Sequence, residues 1–397
     1  MPFRSKITLI YLMGFALDLL NLFVLNSAYP TLQQQLSASV SQLGWVGNAY
    51  MLGLTLVIPL GNGLAQRLGE RGTLLLSLGL FGLGCALAGL AQSIEALIGW
   101  RLLQGLGGGL LIPVGQALAY RACPASERAG LTSQVMMVAL LVPALSPALG
   151  GLMADQGGWR WVFFAMLAPT LLCAALVLAW LPRGRPQPTR QPALDLRLLR
   201  QPLLYTAMLI YLCVPGVFMG VNLVAALYLQ GTLGLSATAT GGLMLPWALG
   251  ALAAIALSRW RFNALGPRPL LLAGMGIQCL AVLALASPWL LAHPAWLVLL
   301  YALMGLGSSL CSSTAQTAAF VAIPPSAMGT ASALWNLNRQ LSFFLGVALM
   351  GALLDGLLPA QAAYAQVLAL GAVLTLLPLP WVLRLPGARA LFVQPVE

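Results

Sequence analysis

The sequence predicts an all-α integral membrane protein of twelve transmembrane helices arranged as two pseudo-symmetric six-helix bundles. Three observations carry that expectation. The 397 residues are 60% hydrophobic and 7% charged, with a mean hydropathy of +0.91, whereas a soluble domain is roughly a quarter charged. Twelve apolar runs each approach the ~20 residues that a bilayer crossing needs. Threading those runs as twelve crossings puts 16 of the 19 Lys and Arg residues on one side, and the second half of the chain repeats the first.

The spans fall at about 7–29, 42–63, 73–91, 97–120, 129–152, 160–181, 203–229, 238–258, 269–288, 294–319, 331–354 and 363–384. Span 1 follows Arg4 and Lys6 and holds Asp18, Asn21 and Asn26. A basic start before an apolar stretch also describes a signal peptide. This run is long, lacks a small-residue cleavage site and carries Asp18, so an uncleaved first span is expected. Span 2 contains Tyr50 and leads into Arg67, Gly69 and Arg71. Span 4 carries Arg101, Gln104 and Gln116 and is followed by Arg121 and Arg128. Span 5 contains VPALSPALGGLM at 142–153. There Pro143 and Pro147 interrupt the helical ladder, and Gly150 and Gly151 admit a neighbouring backbone, so a kinked, close-packed helix with a conformational role is expected. Arg160 opens span 6 from the opposite side. Arg183, Arg185, Arg190, Arg197 and Arg200 lie within the Pro- and Arg-rich segment 182–202. Spans 7 and 8 hold Tyr211, Phe218, Asn222 and Trp247, with Arg259, Arg261 and Arg268 after them. Span 11 holds Trp335, Asn336, Arg339 and Gln340, and Arg384 and Arg389 close the chain.

This sidedness orients the chain. Basic loops stay in the cytoplasm, so both termini are expected there, with the chain in the cell (inner) membrane. The net charge of +11 is then orientation signal and anionic-lipid contact rather than a nucleic-acid footprint. Five of the six cysteines lie in apolar runs without metal-ligand spacing and read as packing residues. His293 stands alone at an outer loop. No metal site and no cofactor is expected, and no nucleophile–His pairing suggests an enzyme.

The internal repeat sets the domain organisation. QGLGGGLLIPVGQALAYRACPASERAGLT at 104–132 recurs as MGLGSSLCSSTAQTAAFVAIPPSAMGTAS at 304–332, with Gly105/Gly305, Gly107/Gly307, Gln116/Gln316 and Pro124/Pro324 among the identities. A weaker echo links LGERGTLLL (68–76) to LGPRPLLLA (265–273). A period of six spans is even, so the halves share one orientation, as in parallel repeats about an axis along the membrane normal. The domains are expected at 1–181 and 203–397, joined by a cytoplasmic linker at 182–202. Two rocking bundles around a midplane site describe alternating access rather than a pore.

Charges and amides inside the spans are the functional candidates, because a central charge costs roughly 2.5–3.5 kcal/mol on insertion scales. Asp18, midway along span 1, is a group able to bind and release a proton during transport. Asn21 shares its face by i,i+3 spacing, and Arg101 and Gln104 repeat that spacing in span 4. In span 11, Asn336 and Arg339 are i,i+3 neighbours, with Gln340 beside Asn336. Substrate is expected near the midplane, against Asn21, Asn26, Gln104, Asn222, Asn336, Arg339 and Gln340 and the aromatics Tyr50, Tyr211, Phe218, Trp247 and Trp335. GLGGG at 105–109 resembles a phosphate loop, but it lies inside an apolar span with no strand before it, so close helix packing explains it.

At these residues the chain resembles the major facilitator superfamily, and within it the drug:H+ antiporter branch, here in a 12-span form. GLAQRLGER (63–71) is similar to the superfamily's loop 2–3 motif, with Arg67, Gly69 and Arg71 in register. RLLQGLGGG (101–109) is similar to the span-4 motif, whose Arg is implicated in proton coupling, and SPALGG (146–151) to the span-5 motif associated with exporters. WRWVFF (159–164), YLQGTLGLSATATGGLMLP (228–246) and NRQLSFFLG (338–346) resemble that branch's spans 6, 7–8 and 11. Some positions depart from the pattern. The branch's span-1 acid, nine residues before a Pro, corresponds to Asn21, and Asp18 one turn away is read as taking its role. Gln66 replaces the Asp of the loop 2–3 motif, whose leading Gly is displaced around Asn62, so the gating contact here must differ. Ser146 replaces a Gly of the span-5 motif.

The resemblance and the residues together imply a proton-coupled exporter of small amphiphilic compounds, with Asp18 and Arg101 in proton coupling. Arg67, Gly69, Arg71, Pro143, Pro147, Gly150 and Gly151 would serve the conformational change. Arg339, a cation available to meet an acidic group, keeps export of an anionic metabolite open, with an importer of the same fold and a non-transporting sensor as rivals. The expected partners are protons, a small-molecule substrate and the lipid bilayer, and the resemblance implies a monomer.

Overall fold

The computed structural model describes residues 3–25, 29–38, 40–183, 195–235, 237–287, 294–357 and 362–387. Among them the regular structure is helical and no strand occurs. Ten helical segments are long and apolar enough to cross a membrane. One of these, Gln42–Gly89, has 48 residues and is divided at Gly69, whose φ of 72° and ψ of 160° are not helical. The helix Arg128–Gly157, 30 residues long, occupies the fifth expected span. Together these agree with twelve crossings of a multi-pass membrane protein.

In chain order the helices are α1 (Phe3–Phe23), α2 (Tyr29–Leu36), α3 (Val40–Val57), α4 (Gly61–Gly89), α5 (Ile94–Ala122), α6 (Arg128–Gly157), α7 (Trp159–Ala165) and α8 (Leu167–Trp180). The second half holds α9 (Pro202–Tyr211), α10 (Val217–Gly231), α11 (Ala237–Gly242), α12 (Met244–Leu265), α13 (Pro267–Leu285), α14 (Pro294–Val321), α15 (Met328–Leu357), α16 (Ala363–Leu374) and α17 (Leu379–Leu383). A π-helical turn, Leu212–Gly216, containing Pro215, joins α9 to α10. The chain clusters into two compact units: residues 1–124, 137–195 and 324–337 form the first, and 125–136, 196–323 and 338–397 the second.

In the first unit α5 is the central helix and packs on α1, α3 and α4. Every residue from Gly107 to Tyr120 is buried, as befits a helix that is apolar on all sides. Glycines make the close approach possible. A Cβ on Gly105 would collide with the Tyr50 carbonyl, and one on Gly107 would lie 2.8 Å from the Phe81 Cα. Small residues of this kind bring membrane helices into van der Waals contact where no hydrophobic force separates helix from lipid. The glycines of 105–109 thus serve packing.

The second unit repeats the arrangement, with α14 packed on α9, α12 and α13. Gly305 meets the Trp247 backbone as Gly105 meets Tyr50, and Gly307 meets Gln278 as Gly107 meets Phe81. The weak sequence echo is also structural. Gly69, at the break within α4, and Gly266, between α12 and α13, both carry positive φ, 72° and 76°, a conformation that strongly favours glycine. Large apolar side chains such as Leu171, Leu245, Leu280 and Phe344 are exposed. Such a surface would be a liability in water and is solvated by acyl chains in a bilayer.

The proline segment of α6 stays helical in its backbone through Pro143 and Pro147. The Ser146 hydroxyl donates to the Val142 carbonyl one turn back, at 2.6 Å, a bond that tends to bend helices.

Candidate functional site

A polar network lies inside the first unit, built from α1, α3, α4 and α5. Asp18 is 3% exposed and Arg101 is fully buried. The Tyr50 hydroxyl donates to Asp18 Oδ1, and the Tyr50 ring lies under the Arg101 guanidinium, 4.5 Å from carbon to ring centroid. Tyr50 therefore touches the acid with its hydroxyl and the cation with its face. Arg101 Nε donates to the Val46 carbonyl at 3.1 Å. Its Nη1 donates to Gln104 Oε1 at 2.7 Å and to Asn21 Oδ1 at 3.1 Å. Gln104 Nε2 in turn donates to Asn21 Oδ1 at 3.0 Å and to the Cys85 sulfur at 2.8 Å.

Sequence logic places these groups together. Helical spacing puts Asp18 beside Asn21 and Arg101 beside Gln104, and glycines bring α3 and α4 close enough to α5 to complete the ring of partners. Gly108 has a particular part. A Cβ there would stand 2.8 Å from Tyr50 Oη and 3.1 Å from Asp18 Oδ1, so the absent side chain makes room for the Tyr50–Asp18 pair. Chemically the arrangement suits proton binding. A tyrosine hydroxyl both donates and accepts, so it can follow Asp18 through protonation, while the arginine stays charged throughout.

The corresponding positions of the second unit are aromatic. Phe218, 200 positions after Asp18, stacks on Trp247 at 5.6 Å with planes 9° apart. Trp247 takes Tyr50's place against the glycine of the facing helix, and Tyr301, 200 positions after Arg101, is buried. The buried Trp247 Nε1, Tyr301 hydroxyl and Gln278 amide have no hydrogen-bond partner among the described residues. One repeat thus carries an ionisable network where the other carries rings and unused polar groups.

The remaining expected site residues are dispersed. Asn26 lies outside the described residues. Asn222 is half-buried on α10, and the Tyr211 ring packs at 5.9 Å from Phe343. Trp335 is buried, and Arg339 and Gln340 are half-buried in the second unit. Asn336 belongs to the first unit. Its Nδ2 donates to Gln116 Oε1 at 2.6 Å and to the Ser332 carbonyl at 2.9 Å, and Ser332 Oγ also donates to Gln116 Oε1 at 2.7 Å. Helical spacing pairs Asn336 with Arg339, but the Asn336 amide turns to Gln116 instead. Tyr50's bond to Asp18, the part of Cys85 and the Gln116 triangle were not anticipated. Gly108 in the glycine run is the sequence signal for the first.

Around the loop 2–3 motif, Arg67 is exposed and Arg71 Nη1 donates to the Leu181 carbonyl at 3.1 Å. Asn62 Nδ2 donates to Thr330 Oγ1 at 2.9 Å. A Cβ on Gly329 would collide with Asn62 Oδ1. The glycine missing from position 62 is thus matched by one at 329, and Asn62 supplies a contact at this motif without the usual acid. Gly150 is buried.

A family profile described as Major Facilitator Superfamily matches residues 11–347. MdtD of Cronobacter sakazakii (strain ATCC BAA-894), named as a multidrug resistance protein, is 29% identical over 178 residues, 45% of this chain and 38% of that protein. EmrY of Escherichia coli (strain K12), likewise named for multidrug resistance, is 31% identical over 180 residues, covering 45% and 35%. The chain thus matches little more than a third of the length of these relatives. Among solved structures, the human organic anion transporter MFSD10 superposes with a TM-score of 0.77 at 17% identity, over 96% of this chain and 100% of that one. The proton:xylose symporter XylE gives 0.74 at 17% identity, over 97% and 96%.

Proposed function

Because this chain belongs to the major facilitator superfamily, we propose that it is a proton-coupled exporter of small amphiphilic compounds. The observation that carries the reading is the Asp18–Tyr50–Arg101 network, an ionisable acid and an arginine held on the two aspects of one buried tyrosine. Burying such groups within a span is costly, and intramembrane ionisable residues mark proton and substrate pathways. Protonation of Asp18 removes the negative charge next to Tyr50 and leaves Arg101 as the formal charge of the cluster. That change in electrostatics is what a coupled conformational step requires. Asn21 and Gln104 hold the guanidinium from α1 and α5, so they belong with coupling in this reading.

Substrate recognition falls to the second unit. Phe218, buried as it stands, stacks on Trp247, and a step that opened this packing would expose an aromatic face with Trp247 Nε1 as an unused donor. Flat, amphiphilic compounds fit such a surface, and the names of MdtD and EmrY are compatible with them. The basic side faces the cytoplasm in this reading, with export directed away from it, and the protein works as a monomer.

The test is transport of a fluorescent amphiphilic dye by the purified chain in liposomes, with and without an imposed pH gradient. Gradient-driven dye movement is expected, lost in Asp18→Asn while dye binding persists. Equal transport by wild type and Asp18→Asn would refute Asp18 as the coupling acid. Movement of an anionic metabolite but not of the dye would replace the substrate class.

A further inference from the structure

A cavity of about 310 Å³ opens at one end of the first unit, at the limits of its helices. Phe3 begins α1, Ala122 ends α5 and Leu181 follows α8, so the cavity lies where the spans leave the apolar layer. Phe3, Ile7, Leu118 and Leu181 supply its apolar lining, and Arg71, Arg121 and Glu70 its polar lining. Arg121 Nη1 is paired with Glu70 Oε1 at 2.5 Å, and Arg71 Nη1 holds the Leu181 carbonyl. Each guanidinium has five N–H groups, so both keep donors beyond those bonds. Lys6 lies 5.7 Å over the Trp180 ring beside the same helix ends.

We propose that this cavity binds an anionic phospholipid, its phosphodiester held by Arg71 and Arg121 and its glycerol and first acyl carbons lying against Phe3, Ile7, Leu118 and Leu181. Three features favour that occupant over a soluble anion. The lining combines apolar side chains with two arginines, the mixture found at the boundary between acyl chain and headgroup. The position at the helix ends is that boundary. Two arginines face one acid, and basic pockets of this kind between transmembrane helices take anionic headgroups. A volume near 310 Å³ stands at the low end of ligand cavities, roughly 300–1,000 Å³, enough for a headgroup with its glycerol while the acyl tails remain in the bilayer. The site does not depend on the transport reading, since it uses neither Asp18 nor the substrate.

The test uses the full chain, delipidated in detergent and titrated by native mass spectrometry with phosphatidylglycerol, chain-matched phosphatidylcholine or inorganic phosphate. One phosphatidylglycerol is expected to stay bound at concentrations where phosphatidylcholine does not. At ~1 kcal/mol per basic residue near a membrane surface, Arg121→Gln should weaken retention about fivefold. Leu118→Trp, which fills the cavity and leaves both arginines in place, should weaken it too. Arg259→Gln, an exposed arginine of the second unit, should not. Equal retention of phosphatidylcholine, or an equal loss in Arg259→Gln, would overturn the proposal. Displacement of the lipid by inorganic phosphate at the same concentration would assign the site to a free anion and overturn it as well.

Discussion

Replacing Gly108 by Ala separates coupling from folding. The new methyl would stand 2.8 Å from Tyr50 Oη and 3.1 Å from Asp18 Oδ1, with Phe81 Cδ2 at 3.5 Å. The first distance is shorter than real carbon contacts, so something must move, and the movable atoms are the ends of the two side chains that form the pair. Overpacking of this kind costs about 1–3 kcal/mol, partly offset by the ~1 kcal/mol that Ala gains over Gly within a helix. Net stability should therefore fall by less than about 2 kcal/mol. The functional effect is larger, because a hydrogen bond to a charged group contributes about 1.5–3 kcal/mol. That energy corresponds to about 10- to 150-fold in an equilibrium that the pair governs. The control is on the same helix: Gly99, with nothing within 4 Å of its Cβ position, should accept Ala freely. In proteoliposomes, Gly108→Ala should bind dye and melt near the wild-type temperature while the pH profile of its transport is displaced. If its profile superimposes on that of Gly99→Ala, the Tyr50–Asp18 pair does not govern coupling and the reasoning fails.

Other variants probe the rest of the network. Arg101→Lys keeps the charge but cannot serve Val46, Asn21, Gln104 and the Tyr50 face together; transport should drop at least about tenfold, one lost charged hydrogen bond being worth that much. Asn21→Asp in the Asp18→Asn background places an acid where Arg101 and Gln104 already donate. Dye transport should regain its response to the pH gradient, and no recovery would tie coupling to the Tyr50 bond. Gln116→Ala removes the acceptor shared by Ser332 and Asn336, for an expected loss of about 1–3 kcal/mol, read as a lower melting temperature in detergent. Gly329→Leu should drive Asn62 off Thr330; unchanged transport kinetics would remove that contact from the conformational cycle.

Much of the fold was legible because membrane physics leaves strong marks on a sequence. Spans have a minimum length, and the Gly105/Gly305 and Gly107/Gly307 identities reflect a packing geometry that both units repeat. The site was legible in its charges. Asp18, Asn21, Arg101 and Gln104 stand out against apolar spans, and helical spacing puts Arg101 beside Gln104 within α5, where the two bond. Links between helices were not legible, because they depend on how far each helix is rotated. Tyr50 reads as one aromatic among many until Gly108 places its hydroxyl on Asp18. Cys85 looks like a packing residue and accepts from Gln104. Asn336 is three residues from Arg339, yet its amide finds an acceptor on α5, a partner that no local spacing encodes.

Proton flux measured directly bears most closely on the central claim. With a pH-sensitive dye sealed inside proteoliposomes, addition of a transported substrate should move protons in the wild type. Asp18→Asn should exchange substrate across the membrane without moving them. Substrate-dependent proton flux that persists undiminished in Asp18→Asn would contradict Asp18 as the carrier of the coupled proton.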